Sequence, residues 1–207
     1  METRNTSAVE TVESEPYISV EEYQELNQNA GQIGDAAYAY EYYRGRVYAL
    51  AGSSLPHAIV AGNIHDVLSP HFRKRGCRSF RGDVQVKTTE SYVYPDITVL
   101  CGEPQLTDTR PPSLLNPVLL VEVLSPSTES RDRTWKLDEY LALPSLREYW
   151  IVSQKEPRVF QYLRENDGWR LEMAAGMDAV LRSRSFEIEI PFAQIYEGVE
   201  MEKGQPL

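Results

Sequence analysis

Few of the features that assign a protein quickly are present in this chain. Its 207 residues include 2 cysteines and 3 histidines. That is too few for a disulfide framework, and no Cys/His spacing reads as a zinc site. No apolar run approaches the roughly 18 residues needed to span a bilayer. The start, Met1-Glu2-Thr3-Arg4, lacks the basic-then-apolar pattern of a secretory signal. There is no P-loop, no G-x-G-x-x-G, no H-E-x-x-H and no G-x-S-x-G elbow. Membrane-spanning, nucleotide-loop, zinc-hydrolase and serine-elbow classes all lose support, and a reducing cytoplasm is the expected location.

An excess of positive charge is also missing. The net charge is −10, which argues against a simple nucleic-acid binder. The imbalance is uneven, however. Residues 1–28 hold seven acids and one base, leaving 24 acids against 20 bases in the rest. One segment is strongly basic: Arg73, Lys74, Arg75, Arg78 and Arg81 lie within nine residues that contain no acid. Such a cluster suits a phosphate backbone, and it equally suits the solvated C-terminal end of a helix.

Hydrophobic content of 42% and charged content of 25% are those of an ordinary globular domain. Residues 1–17 are polar, acidic and aperiodic and are expected to be disordered. A single domain is expected over residues 18–199, followed by a short tail at 200–207. Ser19-Val20-Glu21-Glu22 reads as a capping box opening a helix to about Gln28, and residues 27–37 as a loop. Residues 38–43 and 46–50 flank Arg44-Gly45 as a hairpin. A long helix follows, with Ser53 or Ser54 as cap, Pro56 in the first turn, apolar Val60, Ile64, Val67, Leu68 and Phe72, and Gly76 as stop. Strands are expected over 80–87, 92–101 and 117–124, the last apolar enough for burial on both faces. A second helix is expected over 131–142, then strands over 147–152, 158–163, 169–173 and 186–190. This order describes an α/β sheet flanked by helices.

Two carboxylates interrupt the apolar strand patterns. Asp96, in Tyr94-Pro95-Asp96, shares a face with Thr98 and Leu100. Glu122, in Leu120-Val121-Glu122-Val123-Leu124, shares one with Val118, Leu120 and Leu124. Acids are depleted in strands and are seldom buried without a partner. Each alone is explained by an arginine or a capped amide; brought together on one sheet they form a hard-oxygen site for a cation such as Mg²⁺. That is the chemistry of metal-assisted phosphodiester cleavage. Asp83, after Gly82, is a further candidate ligand or a solvent-facing turn residue. Glu41 is an accessory candidate or an edge-strand charge. Asp132, Lys136 and Tyr140 fall at helical spacing just beyond Glu122, so the lysine can reach back to the carboxylates. His57, in the first helical turn, is an accessory candidate or a helix-terminal polar residue.

The order Tyr94-Pro95-Asp96, Val121-Glu122-Val123-Leu124-Ser125-Pro126-Ser127-Thr128, Asp132, Lys136, Tyr140, Arg147-Glu148-Tyr149-Trp150 resembles the restriction-endonuclease-like family of the PD-(D/E)XK nuclease superfamily. The resemblance spans roughly residues 18–195. It implies an αβββαβ core with a mixed sheet, here with an N-terminal hairpin and C-terminal strands added. It also implies Mg²⁺ (or Mn²⁺) on Asp96 and Glu122, with DNA as substrate. The superfamily lysine stands two residues after the glutamate, where this chain has Leu124; the resemblance assigns that role to Lys136. Many superfamily nucleases are dimers, since duplex strands are related by a two-fold axis, so a homodimer is expected. The alternative is a non-catalytic binding or regulatory module on a nuclease fold.

Overall fold

The computed structural model describes residues 16–30, 39–50, 52–126 and 128–200. Most of the expected tail at 1–17, the loop at 31–37, Tyr38, Ser127 and most of the tail at 200–207 lie outside them.

Helix α1 (Val20–Gln28) begins at the expected capping box: Ser19 N–H donates to Glu22 at 2.8 Å and Glu22 N–H donates to Ser19 Oγ at 3.2 Å. The hairpin β1 (Ala39–Tyr43) and β2 (Arg46–Leu50) turns at Arg44 and Gly45, with φ of 47° and 84°. Helix α2 (Leu55–Lys74) is capped by Ser54, and Gly76 follows with φ 71°. Next come β3 (Cys77–Arg81), β4 (Val86–Lys87), β5 (Ser91–Val93), β6 (Ile97–Cys101) and β7 (Leu119–Leu124). Helices α3 (Glu129–Asp132) and α4 (Trp135–Leu141) lead to β8 (Glu148–Ser153), β9 (Arg158–Glu165) and β10 (Gly168–Ala175). The pair β11 (Val180–Ser183) and β12 (Ile188–Pro191) and the short α5 (Phe192–Ile195) close the described chain.

The central sheet has the order β10-β9-β8-β7-β6-β3. Only β7 and β8 run parallel, and α3–α4 form the crossover between them. This is the αβββαβ core in a mixed sheet. Both faces of β7 are buried, as its continuous apolar run predicts. Val60, Ile64, Leu68 and Phe72 of α2 pack with Ile97, Val99, Val121 and Trp150 on one side. Tyr140, Leu143 and Leu146 pack with Leu120, Leu124, Tyr149 and Ile151 on the other. The hairpin belongs to a smaller sheet of order β2-β1-β5-β4. Tyr23 of α1 seals it against Tyr42 and Tyr92, with ring centroids 5.1 and 5.4 Å away.

Four expectations change. The strand expected over 80–87 is two strands in different sheets, broken at Gly82 (φ 58°) and Asp83. The strand expected over 92–101 is likewise split, because Pro95 lacks the N–H that a continuous ladder needs. The second helix is interrupted at Arg133-Thr134. The two cysteines, for which no disulfide framework was expected, face each other across the β3–β6 register and are joined as a Cys77–Cys101 disulfide. Periodicity alone cannot place them there: the pairing follows from which strands are neighbours.

Position along α2 decides what a truncation costs. Leu68 is fully buried and Leu55 is 73% exposed. Leu68→Ala is expected to lower unfolding free energy by about 2–5 kcal/mol, and Leu55→Ala by about 0.5 kcal/mol or less. Urea denaturation of both variants checks this, and equal losses would contradict the packing described.

Candidate active site

The small and central sheets meet at a cleft of about 690 Å³ lined by Glu41, His57, Arg81, Asp83, Asp96, Glu122, Arg131 and Lys136, among others. Two strand pairings build its floor. The β6–β7 register runs Ile97↔Val121 and Thr98↔Leu120, so its continuation sets Asp96 opposite Glu122. The regular ladder stops at Ile97. Beyond it, the Asp96 carboxylate takes over and accepts the Val123 N–H at 2.7 Å. Asp96 therefore satisfies a backbone donor that the end of β6 leaves open.

Glu122 is buried and accepts from Lys136 Nζ at 3.1 Å and from Tyr140 OH at 2.7 Å, both on Oε1. Oδ1 of Asp96 and Oε2 of Glu122 accept no hydrogen bond among the described residues. Lys136 is itself enclosed. Its ammonium lies 2.8 Å from Glu41, 3.1 Å from Glu122 and 3.4 Å from Asp132. Glu41 is fully buried. It also accepts the Tyr94 N–H at 3.1 Å and contacts Arg131 at 3.5 Å. The edge-strand reading of Glu41 is thereby corrected: β5 pairs on the far side of β1, which makes β1 an interior strand.

An aromatic clamp holds the hairpin against the crossover helices and sets Glu41 over Lys136. Trp135 stacks on Tyr43 with ring centroids 4.4 Å apart and planes 6° from parallel, and on Tyr48 at 5.7 Å. The Arg131 guanidinium lies 4.8 Å from the centre of the Tyr48 ring.

Four carboxylates (Glu41, Asp96, Glu122, Asp132) thus face two permanent cations (Lys136, Arg131). Burial pushes the Glu122 carboxyl well above its ordinary value, and Lys136 only partly offsets this. Burial raises Asp132 in the same way. Burial opposes the charge on Lys136, but the surrounding carboxylates outweigh it and hold its pKa well above the ordinary lysine value. The lysine is therefore a fixed cation and hydrogen-bond donor, not a proton acceptor. His57 Nε2 lies 3.2 Å from Asp96 Oδ2. Burial lowers its pKa, but the Asp96 hydrogen bond and charge more than compensate, so the net shift is upward.

The remaining candidates scatter. Asp83 is exposed and lines the cleft. Arg81 lines it too, from the end of β3. Arg73 donates to Ser69 on its own helix at 3.3 Å, and Arg75 pairs with Glu187 at 3.6 Å. Lys74 is exposed at the end of α2, and Arg78 lines a separate cleft. Arg131 and Tyr94, which the sequence did not single out as site residues, belong to the Glu41 environment. Tyr140 was visible at the Asp132–Lys136 spacing, although its bond to Glu122 was not.

A divalent cation fits the donor set. Among the described residues, no group of three or more His, Cys, Asp or Glu forms a closed cage. Magnesium needs none, because it is held by one or two carboxylates and keeps water and phosphate oxygens. Asp96 and Glu122 provide two carboxylates with uncommitted oxygens in a site of excess negative charge.

The Uma2 family, described as "Putative restriction endonuclease", matches residues 20–193. The chain belongs to this family. Among relatives, the uncharacterized protein slr1290 of Synechocystis is 28% identical over 89% of this chain and 94% of its own. The uncharacterized protein sll1609 of the same organism is 32% identical over 75% of this chain and 85% of its own. A crystal structure from Anabaena variabilis, described as "a putative nuclease belonging to DUF820", superposes with a TM-score of 0.63. It is 18% identical and covers 76% of this chain and 89% of that one. This likeness shows that the fold is shared. Membership in the Uma2 family supports a nuclease function.

Two measurements test the electrostatics. Lys136→Met strands three buried carboxylates and is expected to cost about 3–5 kcal/mol of stability, read from the urea midpoint; a loss below about 1 kcal/mol would contradict the cluster. The folded pKa of His57 is raised above its ordinary 6.5, so its pairing stabilises the fold below about pH 6.5 and fades as pH rises through the raised value. The stability difference between the parent and His57→Gln should shrink over that window in metal-free buffer. A difference that is flat with pH would show that His57 is neutral in the fold.

Proposed function

We propose that this protein is a divalent-metal-dependent endonuclease acting on DNA, with Asp96 and Glu122 as the ligands of Mg²⁺ (or Mn²⁺). The observation that carries the reading is the opposed Asp96–Glu122 pair at the open end of the β6–β7 ladder, with one free oxygen on each carboxylate. When bound, the cation supplies Lewis-acid polarisation of a phosphoryl oxygen and acidifies water. The chain's own residues do the rest. Lys136 stays protonated and offsets the charge of Glu122 and Glu41, holding Glu122 in place for ligation. Asp96 is oriented by the Val123 amide, and Arg81 at the rim of the cleft is positioned to meet a phosphate. Asp132 and Glu41 position the lysine. A homodimer suits the two-fold relation between duplex strands.

A binding module without catalysis is the rival reading. It is favoured by Leu124 at the superfamily lysine position and by the full engagement of Lys136 with three carboxylates. Incubation of supercoiled plasmid with Mg²⁺ or Mn²⁺ separates the two. The parent is expected to nick, and Asp96→Asn to lose about 10²-fold or more of the rate while retaining the fold by circular dichroism. A folded parent that leaves plasmid and linear duplex intact with either metal would favour the module.

A further inference from the structure

At the end of the central sheet, β10 is an edge strand. Eight residues long, it carries a row of apolar side chains on one face: Trp169, Leu171 and Met173. Leu171 is 54% and Met173 58% exposed. Across the register they sit beside Arg164, Tyr162 and Phe160, and Leu171 and Met173 leave apolar surface in solvent at the outer edge. A long edge strand with exposed apolar residues is normally blunted or paired.

The ladder geometry shows which groups are available. The β9–β10 loop closes at Gly168↔Glu165. Arg164 N–H donates to Arg147 at 2.8 Å on the β8 side, so the odd-numbered β9 residues turn their backbone groups toward β10. Gly168, Arg170, Glu172 and Ala174 answer them. The N–H and C=O groups of Trp169, Leu171 and Met173 therefore point away from the sheet, and no backbone partner takes them up among the described residues.

We infer that a second copy of this chain pairs with β10 antiparallel about a two-fold axis at Leu171, joining two six-stranded sheets into one. This register is self-complementary at each position. Leu171 meets its own copy as a hydrogen-bonded pair, using the free outward groups. Trp169 meets Met173 of the second copy, again through outward groups. Arg170 meets Glu172 of the second copy, and opposite charges across a strand pair are favourable where like charges are not. Within one chain Arg170 pairs with Glu165 at 2.5 Å and reaches Glu172 only at 3.9 Å, while Glu172 is held by Arg184 at 2.7 Å. The inference rests on strand register and not on the nuclease reading, so a chain that never cuts DNA can still satisfy it.

Sedimentation velocity and cysteine cross-linking on the full chain test it. At the two-fold axis, Leu171→Cys lies about 5.5 Å Cα to Cα from its copy, within the roughly 4.4–6.8 Å that a disulfide spans. Mild oxidation should give a covalent dimer. Ala175→Cys, whose register mate is residue 167 of the other copy, should not. The native Cys77 and Cys101 are bonded to each other and do not compete. The parent should sediment as a dimer, Arg170→Glu should shift it to monomer, and Glu172→Arg added to Arg170→Glu should restore the dimer. A monomeric parent at every soluble concentration would overturn the inference. So would a dimer that ignores Arg170→Glu and leaves Leu171→Cys uncross-linked, since its interface would lie elsewhere.

Discussion

A single ammonium group holds three parts of this protein in register. Lys136 from the crossover helix meets Glu41 from the small sheet, Glu122 from the central sheet and Asp132 from the preceding helix. A buried ion is costly unless its partners replace the water it loses. Here every partner comes from a different element, so the desolvation is offset only when all of them are in place. The cluster therefore couples the docking of the hairpin to the formation of the site. The aromatic clamp around Trp135 supplies apolar contact for the same docking.

The cluster also leaves a charge imbalance with chemical use. Lys136 and Arg131 cannot neutralise four carboxylates, and burial already disfavours the ionised form of Glu122. In the proposed reading, a divalent cation held by Asp96 and Glu122 would relieve this strain through their uncommitted oxygens. His57 occupies the other side of Asp96 and offsets part of the charge when protonated. The excess of buried carboxylates over cations is the feature on which the proposal of a hard cation rests.

Much of this was legible from residue types. Asp96 and Glu122 stood out because acids interrupt strand patterns that otherwise read as core, and the long helix, the capping box and the αβββαβ order followed from periodicity and caps. What sequence could not supply was neighbour relations. Glu41 reads as an edge charge until β5, some fifty residues later, is seen to pair beside it. Gly82 and Pro95 look like irregularities in single strands, although they are the points where the chain passes between sheets. Cys77 and Cys101 are unremarkable 24 positions apart until β3 and β6 bring them face to face. Arg131 gained a role only through the buried acid it contacts.

Cation binding in the absence of nucleic acid is the most direct test of the account. Titration of metal-free protein with Mn²⁺, followed by calorimetry, should show one site whose affinity rises with pH, because binding displaces the proton that burial favours on Glu122. The Asp96→Asn, Glu122→Gln double variant should lose it. Unchanged affinity in the double variant, or none in the folded parent, would contradict the assignment of these two carboxylates as the metal centre.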